Sequence, residues 1–212
     1  MTEPALVLMA KAPRAGLVKT RLCPPCLPEE AALIAAASIT DTVAAMRGTR
    51  ARLFCAADGP TDGWLPPGLE AFDQVGDGLD ERLAHAFDTV GISALLIGMD
   101  TPQVTPQLLQ SALDTLAAPD VDVVLGAAED GGYWTIGFSE PEPAALLGVP
   151  MSLATTCEEQ RKRLAELGLR VADVPVLRDV DHFDDALAVA ALIPRTAFAR
   201  AVAAVGQRDE SP

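Results

Sequence analysis

Basic residues, aromatic side chains and long apolar runs are all scarce in this chain. Sixteen Lys and Arg stand against thirty Asp and Glu, a formal charge of −14, which is the wrong sign for a surface that must follow a polyphosphate backbone or an anionic bilayer. Neither nucleic acid nor membrane is an expected partner. No apolar run approaches the roughly 20 residues needed to cross a bilayer. The run Leu6 to Ala10 is too short for a signal-peptide core and has no basic segment ahead of it, so a cytoplasmic protein is expected. With aromatics at only 4%, the core must be aliphatic. Histidine is limited to His85 and His182, without ligand spacing, and the four cysteines complete no zinc pattern. Cys23-Pro24-Pro25-Cys26 has redox-motif spacing but lacks the surrounding thioredoxin pattern; a proline-stiffened loop with two thiols is the simpler reading. Cys55 and Cys157 read as packing residues.

What is present is an aliphatic chain, 50% hydrophobic over 212 residues, long enough for one substantial core and too short for two ordinary domains. A single domain over residues 1–212 is expected. Ala5 to Met9 reads as a strand buried on both faces. Pro28 suits the first helical position, Glu29 and Glu30 complement the positive end of the helix dipole, and Gly48 is placed to close a helix running to about Arg47. Further strands are expected at Arg52 to Ala56, about Leu69 to Phe72, Ala94 to Ile97, Val121 to Leu125, Tyr133 to Phe138 and Val171 to Val174. Helices are expected over Asp80 to Val90, from Thr105-Pro106 to before Pro119, from a Thr155/Glu158 capping box to Gly168, and from about Asp184 and Thr196. This alternation argues for an open, mainly parallel α/β sheet covered on both faces, which binds ligands at the carboxyl ends of its strands.

Three segments fall at that edge. Lys11-Ala12-Pro13-Arg14-Ala15-Gly16-Leu17-Val18-Lys19-Thr20-Arg21 follows the first strand and packs four of the sixteen basic residues into one loop. In an acidic protein, clustered cations repel unless an anion or carboxylates lie between them. A diphosphate satisfies them, with Gly16 allowing close backbone approach and Lys and Arg binding its oxygens. Lys11, Arg14, Gly16, Lys19, Thr20 and Arg21 are the candidate binding residues; pairing with local acids is the alternative. The loop is not a Walker A motif, since Lys19-Thr20 lacks its preceding Gly. Replacing Lys19 by Ala is expected to remove most donor affinity while leaving the melting temperature nearly unchanged.

The apolar run Leu95 to Ile97 ends in Gly98-Met99-Asp100, projecting a carboxylate at the same edge. Such an oxygen suits Mg²⁺ or Mn²⁺ bridging a diphosphate, or caps the next turn. Glu129-Asp130-Gly131-Gly132 then sets paired acids and glycines on a turn. Either acid is a candidate to accept a proton from an acceptor hydroxyl or to help hold metal, and Gly131 and Gly132 are candidates for close backbone contact with ligand. Taken alone, the Asp-Gly pair reads better as an ordinary hairpin turn.

Together the segments resemble the glycosyltransferase-like family DUF2064, within the GT-A or nucleotide-diphospho-sugar transferase superfamily. The resemblance rests on Lys11, Pro13, Gly16, Val18, Lys19, Thr20, Arg21 and Leu22, on Gly98, Asp100 and Pro102, and on Asp130 to Tyr133, with weaker matches at Gln74 to Leu83 and Asp179-Val180-Asp181. It implies a GT-A-like three-layer sandwich, a donor nucleotide at the first strand's loop, a divalent metal near Asp100 and a further carboxylate from Asp181. The chain departs from the pattern at Gly98, where an acid is usual, at Asp80 in place of Gly, and at Met151-Ser152 in place of Trp-Ser. The function implied is sugar transfer from a nucleotide sugar to a small-molecule acceptor. The alternatives are nucleotidyl transfer from an NTP to a phosphorylated small molecule, or noncatalytic nucleotide binding.

Overall fold

A computed structural model describes residues 3–206. Seven strands form one sheet: β1 (Ala5–Lys11), β2 (Arg52–Asp58), β3 (Glu70–Asp73), β4 (Ala94–Gly98), β5 (Val123–Ala127), β6 (Tyr133–Phe138) and β7 (Val171–Asp173). Their order is β3-β2-β1-β4-β6-β5-β7. All neighbours run parallel except β6, which is antiparallel to β4 and β5. The first six residues of β1 are buried, as befits a central strand covered on both faces.

Six α-helices cover the sheet: α1 (Pro28–Met46), α2 (Leu79–Val90), α3 (Pro106–Leu116), α4 (Thr156–Glu166), α5 (Phe183–Leu192) and α6 (Ala197–Gly206). Alternate side chains of β1 feed opposite cores, Leu6 and Leu8 packing with Ile39 of α1 and Leu109 of α3, and Val7 and Met9 with Leu83 and Phe87 of α2. A third cluster joins α1 to α5 and α6 through Ile34, Val189 and Phe198. The result is the expected three-layer α/β sandwich, with α5 and α6 added outside α1. Among the described residues no helix is long and apolar enough to cross a membrane.

Local signals behave as expected at most helix starts. Pro28 begins α1, and Glu30 accepts a hydrogen bond from the Leu27 amide at 2.8 Å. Thr105 caps α3, accepting from Leu108 N at 3.1 Å. Two details differ. Thr155 makes no side-chain cap; the hydroxyl of the next residue, Thr156, instead accepts from Leu153 N at 3.0 Å and donates to Pro150 O at 3.0 Å, tying the incoming loop. Gly48 does follow α1, yet its requirement is steric: a Cβ there would sit 2.6 Å from Pro106 Cβ.

Candidate functional site

The carboxyl ends of β1, β4 and the β5–β6 turn converge with the segment after β7. A cleft of about 440 Å³ opens there, lined by Lys11, Arg21, Asp100, Asp130, Asp179 and Asp181 among others. A second hollow of about 260 Å³ lies under the basic loop and shares Lys11, Arg21, Met99, Asp100 and Asp181 with it.

The loop folds onto the aspartates. Lys19 takes the left-handed backbone region, φ 49°, an uncommon state for a non-glycine residue that concentrates at functional sites. Its ammonium reaches Asp100 Oδ1 at 2.6 Å and also donates to the Val180 carbonyl, with only 8% of the side chain exposed. Val180 N in turn donates to Asp100 O at 2.9 Å, so three segments distant in sequence are fastened at one point. Arg21 meets Asp181 Oδ2 at 2.6 Å with 64% of its side chain open to solvent. Lys11 is similarly open and lies 3.8 Å from Asp58. Lys11 and Arg21 are thus the accessible cations, and Lys19 is the fixed one. Thr20 lines the hollow beside them. Gly16 supplies a φ of 76° in open space. Arg14 is exposed and lines neither hollow.

The acids sort differently from the sequence expectation. Carboxylate oxygens of Asp130, Asp179 and Asp181 lie within 4.8 Å of one another. Three hard oxygen donors suit Mg²⁺ or Mn²⁺. Asp100, expected at the metal, faces Lys19 and falls outside that group. Asp130, expected either as an acid–base residue or as a help in holding metal, falls inside it, with Oδ1 accepting from Gly132 N at 2.8 Å. Asp179 is the residue that sequence reasoning did not single out. Burial, then the charges of Asp130, Asp181 and Asp100, push its carboxyl up to about 6. Burial is the larger cause, and the neighbouring acids add to it. The Asp-x-Asp spacing of 179 and 181 was the available signal.

Glu129 is not brought to the cleft: its carboxylate binds Arg178 Nε at 2.7 Å. Gly132 lines the cleft, whereas Gly131, φ 92°, lies against the loop before α4, where a Cβ would fall 1.9 Å from Ala154 O. Asp80 accepts from Gly148 N at 2.9 Å, which gives the departure from Gly a structural use. The thiols play no part here. Cys23 and Cys26 are not bridged; burial, then Glu30 and Glu29, raise the Cys23 thiol, and burial pushes Cys55 up to about 12.

Strand order, the reversed β6 and a cleft at the strand ends define a mainly parallel α/β sandwich with a hollow where such sheets bind ligands. A family model described as an uncharacterized protein conserved in bacteria (DUF2064) matches residues 33–153, more than half of the chain, and the chain belongs to that family. The match starts beyond the basic loop.

A solved protein from Desulfovibrio desulfuricans G20, provisionally designated a nucleotide-diphospho-sugar transferase, is 27% identical over 98% of both chains with a TM-score of 0.86. CMP:2-keto-3-deoxy-manno-octonic acid synthetase, solved with CTP, shares the fold at 12% identity and a TM-score of 0.59, over 92% of this chain and 99% of that one. Rv0371c from Mycobacterium tuberculosis H37Rv, solved with manganese, does so at 19% identity and a TM-score of 0.53, over 89% and 98%. No curated protein matches the chain.

Proposed function

We propose that this chain transfers a sugar from a nucleotide-sugar donor to a small-molecule acceptor in the presence of Mg²⁺ or Mn²⁺. The observation that carries the reading is the meeting of Lys19 with Asp100 and of Arg21 with Asp181, each at 2.6 Å. They set a cationic loop against a carboxylate edge at the place where α/β sheets bind ligands. Lys11 and Arg21 contact the donor diphosphate and stabilise charge as it leaves; Lys19 holds Asp100 and the Val180 strap so that those groups do not reorganise during reaction. Asp130, Asp179 and Asp181 would hold a metal ion, which would supply positive charge beside the departing diphosphate. Asp130 retains a second carboxylate oxygen beside the backbone-bonded one and receives the acceptor's proton. The provisional designation of the Desulfovibrio protein supports the same reading.

Nucleotidyl transfer from an NTP is the second reading, favoured by the fold shared with the CTP-bound synthetase. Incubation with Mn²⁺ and a panel of nucleotide sugars, and separately with NTPs, distinguishes the two. Free nucleoside diphosphate supports sugar transfer; pyrophosphate supports nucleotidyl transfer; tight binding without either product leaves a noncatalytic nucleotide-binding protein.

A further inference from the structure

Positive charge in the cleft is confined to one side. Lys11, Lys19 and Arg21 all border the hollow beneath the basic loop. Beyond the residues that the two hollows share, the charged groups lining the larger cleft are Asp130 and Asp179, both acidic. The rest of the wall mixes apolar side chains, Leu79, Leu83, Leu96, Met151 and Leu153, with the uncharged polar groups of Gln74, Tyr133, Ser152 and Thr156. Two of these form a greasy rim, Leu79 at 43% and Leu153 at 54% exposure. Tyr133 is half-buried, and desolvation raises its phenol pKa, so it adds no charge.

Several backbone amides beside this wall are already engaged. A helix N-terminus can bind an anion through free amides, and two helices begin beside this wall. At α4, Thr156 N donates to Leu153 O at 3.0 Å and Cys157 N to Gly131 O at 2.9 Å. At α2, Asp80 and Glu81 put two carboxylates in the first turn, and Glu81 takes the Asp77 amide at 2.7 Å.

Resting on the sugar-transfer reading, we infer that the acceptor is an uncharged hydroxyl compound with an apolar body, bound against the Leu79–Leu153 wall, and that phosphorylated acceptors are rejected. A phosphate placed there meets Asp130 and Asp179 while the cations of the cleft, Lys11 and Arg21, are engaged by the donor diphosphate, a repulsive arrangement that selects against anions. An apolar body gains from the buried leucine and methionine surface. In the reaction the anomeric carbon–oxygen bond to the diphosphate breaks and its electron pair leaves on the nucleoside diphosphate. The acceptor oxygen makes the new bond to that carbon, and its proton passes to Asp130 and on to water.

The experiment loads full-length protein with Mn²⁺ and whichever of UDP, GDP, dTDP, CDP and ADP binds most tightly by calorimetry. It then titrates two matched pairs, 4-nitrobenzyl alcohol with 4-nitrobenzyl phosphate and hexanol with hexyl phosphate. Each alcohol is expected to bind at least tenfold more tightly than its phosphate, and Leu153→Lys to shrink or reverse that ratio while leaving the diphosphate affinity unchanged. Phosphates that bind the native protein as well as the alcohols do, or alcohols that fail to bind beside a bound diphosphate, overturn the inference and leave donor binding standing. Failure of all five diphosphates removes the transferase reading and this inference with it.

Discussion

Lys19 Nζ sits 2.6 Å from Asp100 Oδ1, joining the loop after β1 to the carboxylate after β4. The same ammonium donates to the Val180 carbonyl, so Lys19 is a structural clamp as well as a charge. The sequence expectation that Lys19→Ala would leave stability nearly untouched is therefore revised by the burial of this side chain. Removing it strands a carbonyl and releases Asp100, at a cost of about 1–3 kcal/mol. For a chain of this size that is a fall of roughly 2–4 °C in Tm per kcal/mol. Lys19→Met is expected to show this loss together with weakened nucleoside diphosphate binding. A normal melting curve with normal affinity would remove the clamp from the argument.

Arg21→Gln separates the two roles. Arg21 is mostly exposed and its partner Asp181 is 36% exposed, so the pair adds little to stability. Diphosphate affinity is expected to drop at least tenfold while Tm moves by no more than about a degree, the signature of a lost charge-assisted contact to ligand.

Asp179 gives a pH dependence with a definite sign. Its carboxyl is raised to about 6 from an ordinary 3.8, so the folded, metal-free protein binds a proton more readily than the unfolded chain does. Its contribution to stability is therefore favourable at low pH and lost as pH rises from about 4 through about 6. Asp179→Asn is expected to stabilise the metal-free protein above pH 6 by about 1 kcal/mol, a figure reduced for solvent screening, and to flatten this part of the profile. Urea unfolding at pH 5 and pH 7.5 tests it; a variant less stable than the native protein at pH 7.5 would contradict the crowded-charge account.

Asp122 provides the opposite case, away from the cleft. Hydrogen bonds from the Arg170 side chain and backbone hold its carboxyl down to about 2, with Arg170 Nη2 at 2.7 Å. This stabilisation is present above about pH 4 and is lost as pH falls toward 2. Arg170→Gln is expected to lower stability at pH 7, to narrow the difference from the native protein below pH 3, and to leave nucleotide binding unchanged.

Much of this architecture could be read from local chemistry. Pro28 and Thr105-Pro106 marked helix starts because caps act through neighbours in the chain, and the apolar run at β1 marked a strand covered on both faces because it is too short for a helix and ends at a polar loop. The site was legible where a motif follows a strand: Lys11 and Asp100 fall at strand ends whatever the remaining fold does. Pairing across the chain was not legible. Arg178 claims Glu129, Val180 fastens both Lys19 and Asp100, and the parallel bridge between Ala128 and Leu177 carries Asp179 to Asp130. Each of these depends on where the segment after β7 travels, and no spacing within one segment records that path.

That path makes the metal assignment testable in its own right. The sequence pattern favours Asp100 and Asp181, whereas the geometry gathers Asp130, Asp179 and Asp181 and gives Asp100 to Lys19. Replacing a ligating carboxylate by its amide removes both a charge and a strong donor, so Asp179→Asn and Asp181→Asn are each expected to weaken Mn²⁺ binding at least tenfold. Asp130→Asn should do the same and also suppress turnover at saturating Mn²⁺, since it loses the proton acceptor. Asp100→Asn, which removes only a neighbour of the site and loosens Lys19, is expected to change Mn²⁺ affinity less than threefold while weakening diphosphate binding. Calorimetric titration of the four variants decides between the two sets: strong loss at Asp100 with little at Asp179 would return the metal to the end of β4.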